Sequence, residues 1–70
     1  MSDIKVEVTG SVWKVERVTG DSVAAGDVLM IIESMKMEIP VLVEEPGTVL
    51  EIRVRAGDSV NEGDVVAVLG

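Results

Sequence analysis

The feature that most constrains this chain is an internal duplication. Displaced by 37 positions, Gly10, Val12, Gly20, Asp21, Ser22, Val23, Gly26, Asp27 and Val28 fall without a gap on Gly47, Val49, Gly57, Asp58, Ser59, Val60, Gly63, Asp64 and Val65. Val15 and Ile31 meet Ile52 and Val68 in the same alignment. A fixed-period repeat means one supersecondary unit used twice, with a shared core between the copies.

Each copy reads as short strands joined by glycine corners. Strands are expected over Ser11–Val18 and Thr48–Arg55, each ending at a Gly-Asp-Ser-Val corner where Gly20 or Gly57 supplies a positive φ and the Asp binds the backbone ahead of it. Second corners fall at Gly26-Asp27 and Gly63-Asp64, followed by apolar strands Val28–Glu33 and Val65–Leu69, the first apolar on both faces and so covered on both sides. Lys5–Val8 and Met37–Val43 alternate, with Met37, Ile39, Val41 and Val43 on one face. Fifteen Val, five Ile and four Leu suit a pleated surface, and no helical periodicity is sustained. The prediction is an all-β domain spanning residues 1–70: a flattened β-barrel or small sandwich of two four-stranded halves related by a pseudo-two-fold axis.

The duplication breaks once. The first copy continues through Glu33-Ser34-Met35-Lys36-Met37-Glu38-Ile39-Pro40, where the second has no counterpart. Ser34, Met35 and Lys36 must turn one strand into the next, at the end opposite the meeting of the termini. A tight hairpin prefers Asn-Gly or Gly at its centre; Met-Lys in that place implies local strain, which gathers at functional positions. Of the six basic residues, Lys5, Lys14, Arg17, Arg53 and Arg55 fall on strand surfaces and Lys36 alone on a tip. It reads either as a solvated turn lysine or as an amine presented to another enzyme. Met35 and Met37 read either as caps on the core edge or as soft side chains that adapt to a partner's pocket.

Most active-site chemistry is absent. Without His or Cys there is no Ser-His-Asp arrangement and no ordinary zinc site. The Asp21–Asp27 and Asp58–Asp64 stretches lack the ligand spacing of a calcium loop and read as turns, and Glu44-Glu45 as a solvated rim. No phosphate loop is present. The expectation is no catalytic residue and no metal. A formal net charge of −7 opposes binding to nucleic acid or to anionic membranes. It favours a soluble free monomer. No basic-then-apolar leader is visible, and the longest uninterrupted apolar runs, Val28–Ile32 and Val65–Leu69, are far too short to span a bilayer, so the expected location is cytoplasmic.

Glu33-Ser34-Met35-Lys36-Met37-Glu38, together with Gly47-Thr48-Val49, Gly57-Asp58-Ser59-Val60 and Gly63-Asp64, resembles the biotinyl/lipoyl attachment family, whose biotin motif is Glu-Ala-Met-Lys-Met. The resemblance runs from about Val6 to Leu69. It implies the barrel-sandwich fold and covalent biotin on Lys36, attached by a biotin protein ligase that recognises Glu33, Ser34, Met35 and Met37. It implies further that the biotin passes carboxylate from a biotin carboxylase to a carboxyltransferase. Ser34 departs from the usual Ala, Val12 to Val18 run straight into Gly20 with no room for the protruding thumb of some carriers, and the long Ala/Pro-rich upstream linker of many carriers is not expected here. The chain is therefore most similar to the short biotin/lipoyl attachment proteins. Lipoate on the same lysine is the alternative, although lipoyl domains usually carry Asp-Lys-Ala. An unmodified adaptor module is the alternative from another class. Trp13, the sole aromatic residue, reads by default as core packing at a strand edge and otherwise as a partner contact.

Overall fold

The computed structural model describes residues 1–70 and holds eight strands and no helix. They are β1 (Ser2–Lys5), β2 (Gly10–Val15), β3 (Ser22–Val23), β4 (Val28–Ser34), β5 (Met37–Leu42), β6 (Gly47–Ile52), β7 (Ser59–Val60) and β8 (Val65–Leu69). They form two four-stranded antiparallel sheets, in the orders β1-β8-β6-β3 and β5-β4-β2-β7. The all-β, two-sheet expectation is met.

The sheets are not the sequence halves. Central strands β4 and β2 come from the first copy, but their flanking strands β5 and β7 come from the second. In the other sheet β8 and β6 are flanked by β1 and β3. The copies interleave, and each completes the other's sheet.

The corners explain how. Val18, Ala24, Arg55 and Asn61 each begin a four-residue turn whose backbone bond is donated by the N–H of Asp21, Asp27, Asp58 or Asp64. Gly20, Gly26, Gly57 and Gly63 hold the third position with φ of 98°, 92°, 98° and 92°, as a type II turn demands. Each Asp carboxylate then accepts from the N–H three residues behind it, at 3.0, 2.8, 2.9 and 2.8 Å. The Asp residues thus bind backward, not forward as expected, because the residue entering the turn has left its ladder and its N–H needs an acceptor.

Each turn docks on a buried valine of the other copy. Gly20, Gly26, Gly57 and Gly63 donate to the carbonyls of Val49, Val43, Val12 and Val6 at 2.7–2.8 Å. The same valines donate back to Asp21, Asp27, Asp58 and Asp64 at 2.8–3.0 Å. The strand bounds differ from expectation: β1 is displaced to Ser2–Lys5 from Lys5–Val8, and β2 and β6 stop at Val15 and Ile52, short of Val18 and Arg55. β1 ends at Lys5 because both backbone groups of Val6 go to the Gly63-Asp64 corner, and β2 ends at Val15 because Val18 belongs to a turn. Two-residue β3 and β7 lie in what was expected to be corner alone.

Val6, Val12, Val43 and Val49 belong to the shared core of twelve buried residues, with Leu29, Met30, Ile32 and Val66 among the others. β4 was expected to be covered on both faces; Leu29, Met30 and Ile32 are buried, but Val28 and Ile31 are only half-buried. Trp13 departs further from expectation. It lies at a register shift in β2, a central strand, and is 49% exposed. The extra residue of a bulge is free of the ladder and does not have to point inward.

Candidate functional site

β4 and β5 pair from Val28↔Leu42 to Ser34↔Met37. Only Met35 and Lys36 remain to make the turn, with φ of 51° and 64°. They are the only non-glycine residues in the chain with positive φ. Two central residues of positive φ mark the mirror-image hairpin turn whose twist matches that of the strands. Holding side chains there costs about 1–2 kcal/mol per residue. The strain expected at Met-Lys is therefore present.

The hairpin carries its tip beyond the core. Along the inner face of β5 and the residue that follows it, burial falls toward the turn: Val43 is buried, Val41 and Ile39 are half-buried, and Met37 is 63% exposed. Met35 is 92% exposed. The two methionines are solvent-facing side chains, which removes the reading of them as caps on the core. Lys36 is exposed and takes part in none of the three ion pairs, which join Lys14 to Glu16, Arg17 to Asp27 and Arg53 to Glu51. The hydrogen bond from Arg53 to Glu51 raises the pKa of the Arg53 guanidinium. Below the turn Glu33 and Glu38 are directly opposed across the ladder, both exposed. Opposed like charges are unfavourable, and they surround the amine with negative potential on both strands.

Two residues absent from the sequence-based site hold the base of this hairpin. The Ser34 hydroxyl donates to the Thr9 carbonyl at 2.8 Å, and the Thr9 hydroxyl accepts from the Glu62 N–H at 3.1 Å. Beside them Gly10 packs so closely on Glu33 that a Cβ on Gly10 would overlap the Glu33 carbonyl oxygen. Its φ is not positive, so glycine is there for want of a side chain. The signal was in the duplication: Gly47, the counterpart of Gly10, lies against Gly70, where a Cβ would come 2.7 Å from the carbonyl oxygen. Thr9 therefore meets Ser34 and Gly10 meets Glu33 at the base of the hairpin, while Met35, Lys36 and Met37 lie beyond them at its exposed tip.

A groove of about 990 Å³ runs between β1 and β5 and is lined by Ile4, Val6, Ile39 and Val41 among others, without Met35 or Lys36.

A small two-sheet sandwich presenting one amine on a strained hairpin is the architecture of a swinging-arm carrier domain. The chain belongs to the biotin/lipoyl family: the profile described as "Biotin-requiring enzyme" matches residues 1–69. A Mycobacterium leprae relative named "Biotinylated protein TB7.3 homolog" is 52% identical over 40 residues, 57% of this chain and 56% of that one. The "Biotin/lipoyl attachment protein" of Bacillus subtilis is 42% identical over 41 residues, 59% of this chain and 56% of that one. The match thus spans little more than half the length of these curated relatives. Among solved structures, Kluyveromyces lactis urea carboxylase aligns over 99% of this chain and 6% of its own, with a TM-score of 0.94 and 42% identity. A single-chain, multi-domain long-chain acyl-CoA carboxylase aligns over 94% of this chain and 7% of its own, with a TM-score of 0.89 and 24% identity; that likeness is one of fold.

Proposed function

We propose that this chain is a biotin carrier in which the Nζ of Lys36 is acylated with biotin by a biotin protein ligase. The observation that carries the reading is the exposed Lys36 held outside every ion pair on a turn that only a specific local geometry allows. Family membership and the names of the relatives support biotin as the group.

The amine attacks the carbonyl carbon of a biotinyl adenylate. The amide bond forms, the bond to the AMP phosphate breaks, and the ligase takes the proton released by nitrogen. Met35 and Met37 supply adaptable apolar contact to the ligase, and Glu33 and Glu38 supply charge at fixed positions. Once attached, the biotin ring provides the carboxyl-carrying chemistry, between a biotin carboxylase and a carboxyltransferase. This chain contributes reach and local concentration and no catalytic group. The protein works as a cytoplasmic monomer that visits its partners in turn.

The test is intact mass, with a streptavidin blot, of wild type and Lys36→Arg from cells holding both biotin and lipoate ligases. A biotin adduct on wild type alone is expected. A lipoyl adduct on wild type would replace biotin by lipoate at the same residue. An adduct that survives Lys36→Arg, or none on wild type, would overturn the reading.

A further inference from the structure

We infer that this chain exchanges halves with a second copy of itself by opening at Met35 and Lys36. Three observations meet at that point. Each sheet is built from both halves, with β5 and β7 flanking β4 and β2, and β1 and β3 flanking β8 and β6. The only covalent connection between the halves is the turn of Met35 and Lys36. That turn is also the only place where residues other than glycine are held at positive φ.

A short hinge under strain invites exchange. When Met35 and Lys36 relax to extended backbone, β4 and β5 become one continuous strand that crosses to the second copy. Residues 1–34 of one chain then meet residues 37–70 of the other. Every pairing between the halves is re-formed between chains, including β4 with β5, β2 with β7, β1 with β8 and β3 with β6. The reciprocal bonds of the corners, such as Gly20 to Val49 and Gly57 to Val12, are re-formed as well. The closed and exchanged forms therefore differ chiefly at the hinge, where the exchanged form loses the left-handed residues. Two copies of formal charge −7 repel, so salt favours exchange.

In the exchanged form Lys36 lies on a crossing strand and not at a hairpin tip, so the copy is withdrawn from acylation. That consequence rests on the carrier reading; the exchange does not, and its test needs no biotin.

The full chain is unfolded in denaturant and refolded at millimolar concentration and moderate salt, and its mass is measured by light scattering after size exclusion. Wild type is expected to give a dimer that persists on dilution. Met35→Asn combined with Lys36→Gly, which suits the turn, should lower the dimerisation constant by about tenfold or more, given two relieved residues and tenfold per 1.4 kcal/mol. Deleting Met35 and Lys36 leaves no turn and should give mainly dimer; if that variant fails to fold, the Asn-Gly comparison decides alone. Tagged and untagged chains should form hybrids when refolded together and not when mixed folded. No wild-type dimer, an equal dimer in the Asn-Gly variant, or hybrids formed without unfolding would each overturn the inference.

Discussion

The Ser34 hydroxyl donates to the carbonyl oxygen of Thr9 at 2.8 Å, joining the last residue of β4 to the segment that leads into β2, 25 residues earlier. It ties the base of the Lys36 hairpin to the body of the sandwich. The bond is partly open to water, so its net value is modest. Ser34→Ala should cost at most about 1 kcal/mol, or about 4–8 °C in melting temperature for a chain this small. Because the turn geometry is set by the register of β4 and β5, acylation of Lys36 should slow by no more than about threefold, equivalent to about 0.7 kcal/mol. Thermal melts and acylation by a purified ligase check both values; a loss of acylation beyond tenfold would mean that Ser34 touches the ligase itself.

Gly10 and Gly47 offer a paired test, since the duplication makes them equivalent in fold and the hairpin makes them different in function. Gly10 abuts Glu33, two residues before the turn, whereas Gly47 abuts Gly70, where β8 ends beside Ser2. A methyl group at either position meets backbone that must move, so Gly10→Ala and Gly47→Ala should each destabilise by about 2 kcal/mol or more. Only Gly10→Ala should also slow acylation at a temperature where both variants are folded. Equal slowing in the two would show that global stability and not hairpin position controls the reaction.

How much of this was legible in the residues depends on the scale of the feature. The spacing of Gly20-Asp21 and Gly57-Asp58 marked corners correctly, since a positive φ leaves a local signature that glycine advertises. The direction of the Asp bonds was not legible, because forward and backward acceptors use the same side chain. The interleaving was hidden for a different reason. Which strand lies beside β4 is decided by Val6, Val12, Val43 and Val49 meeting corners of the other copy, and no local pattern records a partner so far along the chain. At the candidate site, Lys36 stood out because the duplication fails there. Thr9 did not, because its bond to Ser34 runs through a backbone carbonyl that any residue would carry, and its hydroxyl meets a backbone N–H, that of Glu62, 53 positions along the chain. Trp13 was misplaced on the strength of its apolar ring, which a bulge allowed to face water.

The four Asp corners should respond alike to substitution. At Asp58 the carboxylate accepts from the Arg55 N–H at 2.9 Å and takes no part in an ion pair. Asp58→Ala removes that acceptor and should cost about 1 kcal/mol. Asp58→Asn keeps an oxygen in the same place and should lose less than half as much. Asp21→Ala lies at the equivalent corner of the other copy, with separate partners, so the double variant should be additive to within about 0.5 kcal/mol. Denaturant melts of the two singles and the double would show coupling if the corners share more than the core between them.

The turn itself supplies the sharpest expectation, because stability and use should move in opposite directions there. Met35 at φ 51° is a side chain in a conformation that glycine and asparagine adopt at little cost. Its side chain is 92% exposed, so substitution removes almost no buried contact. Met35→Gly should therefore stabilise the fold. The relief of about 1–2 kcal/mol is reduced by the entropy that glycine adds to the unfolded chain, about 0.5–1 kcal/mol, leaving a gain of up to about 1 kcal/mol. Met35→Asn avoids that entropic loss and should gain as much or more. Both variants take from the turn an apolar side chain that the carrier reading assigns to ligase contact, so acylation of Lys36 should fall by about tenfold or more, the value of about 1.4 kcal/mol of lost contact. Melting temperature and acylation rate measured on the same preparations decide it. A residue kept for folding would show both falling together; a variant that is more stable and less acylated shows strain maintained at the tip for recognition.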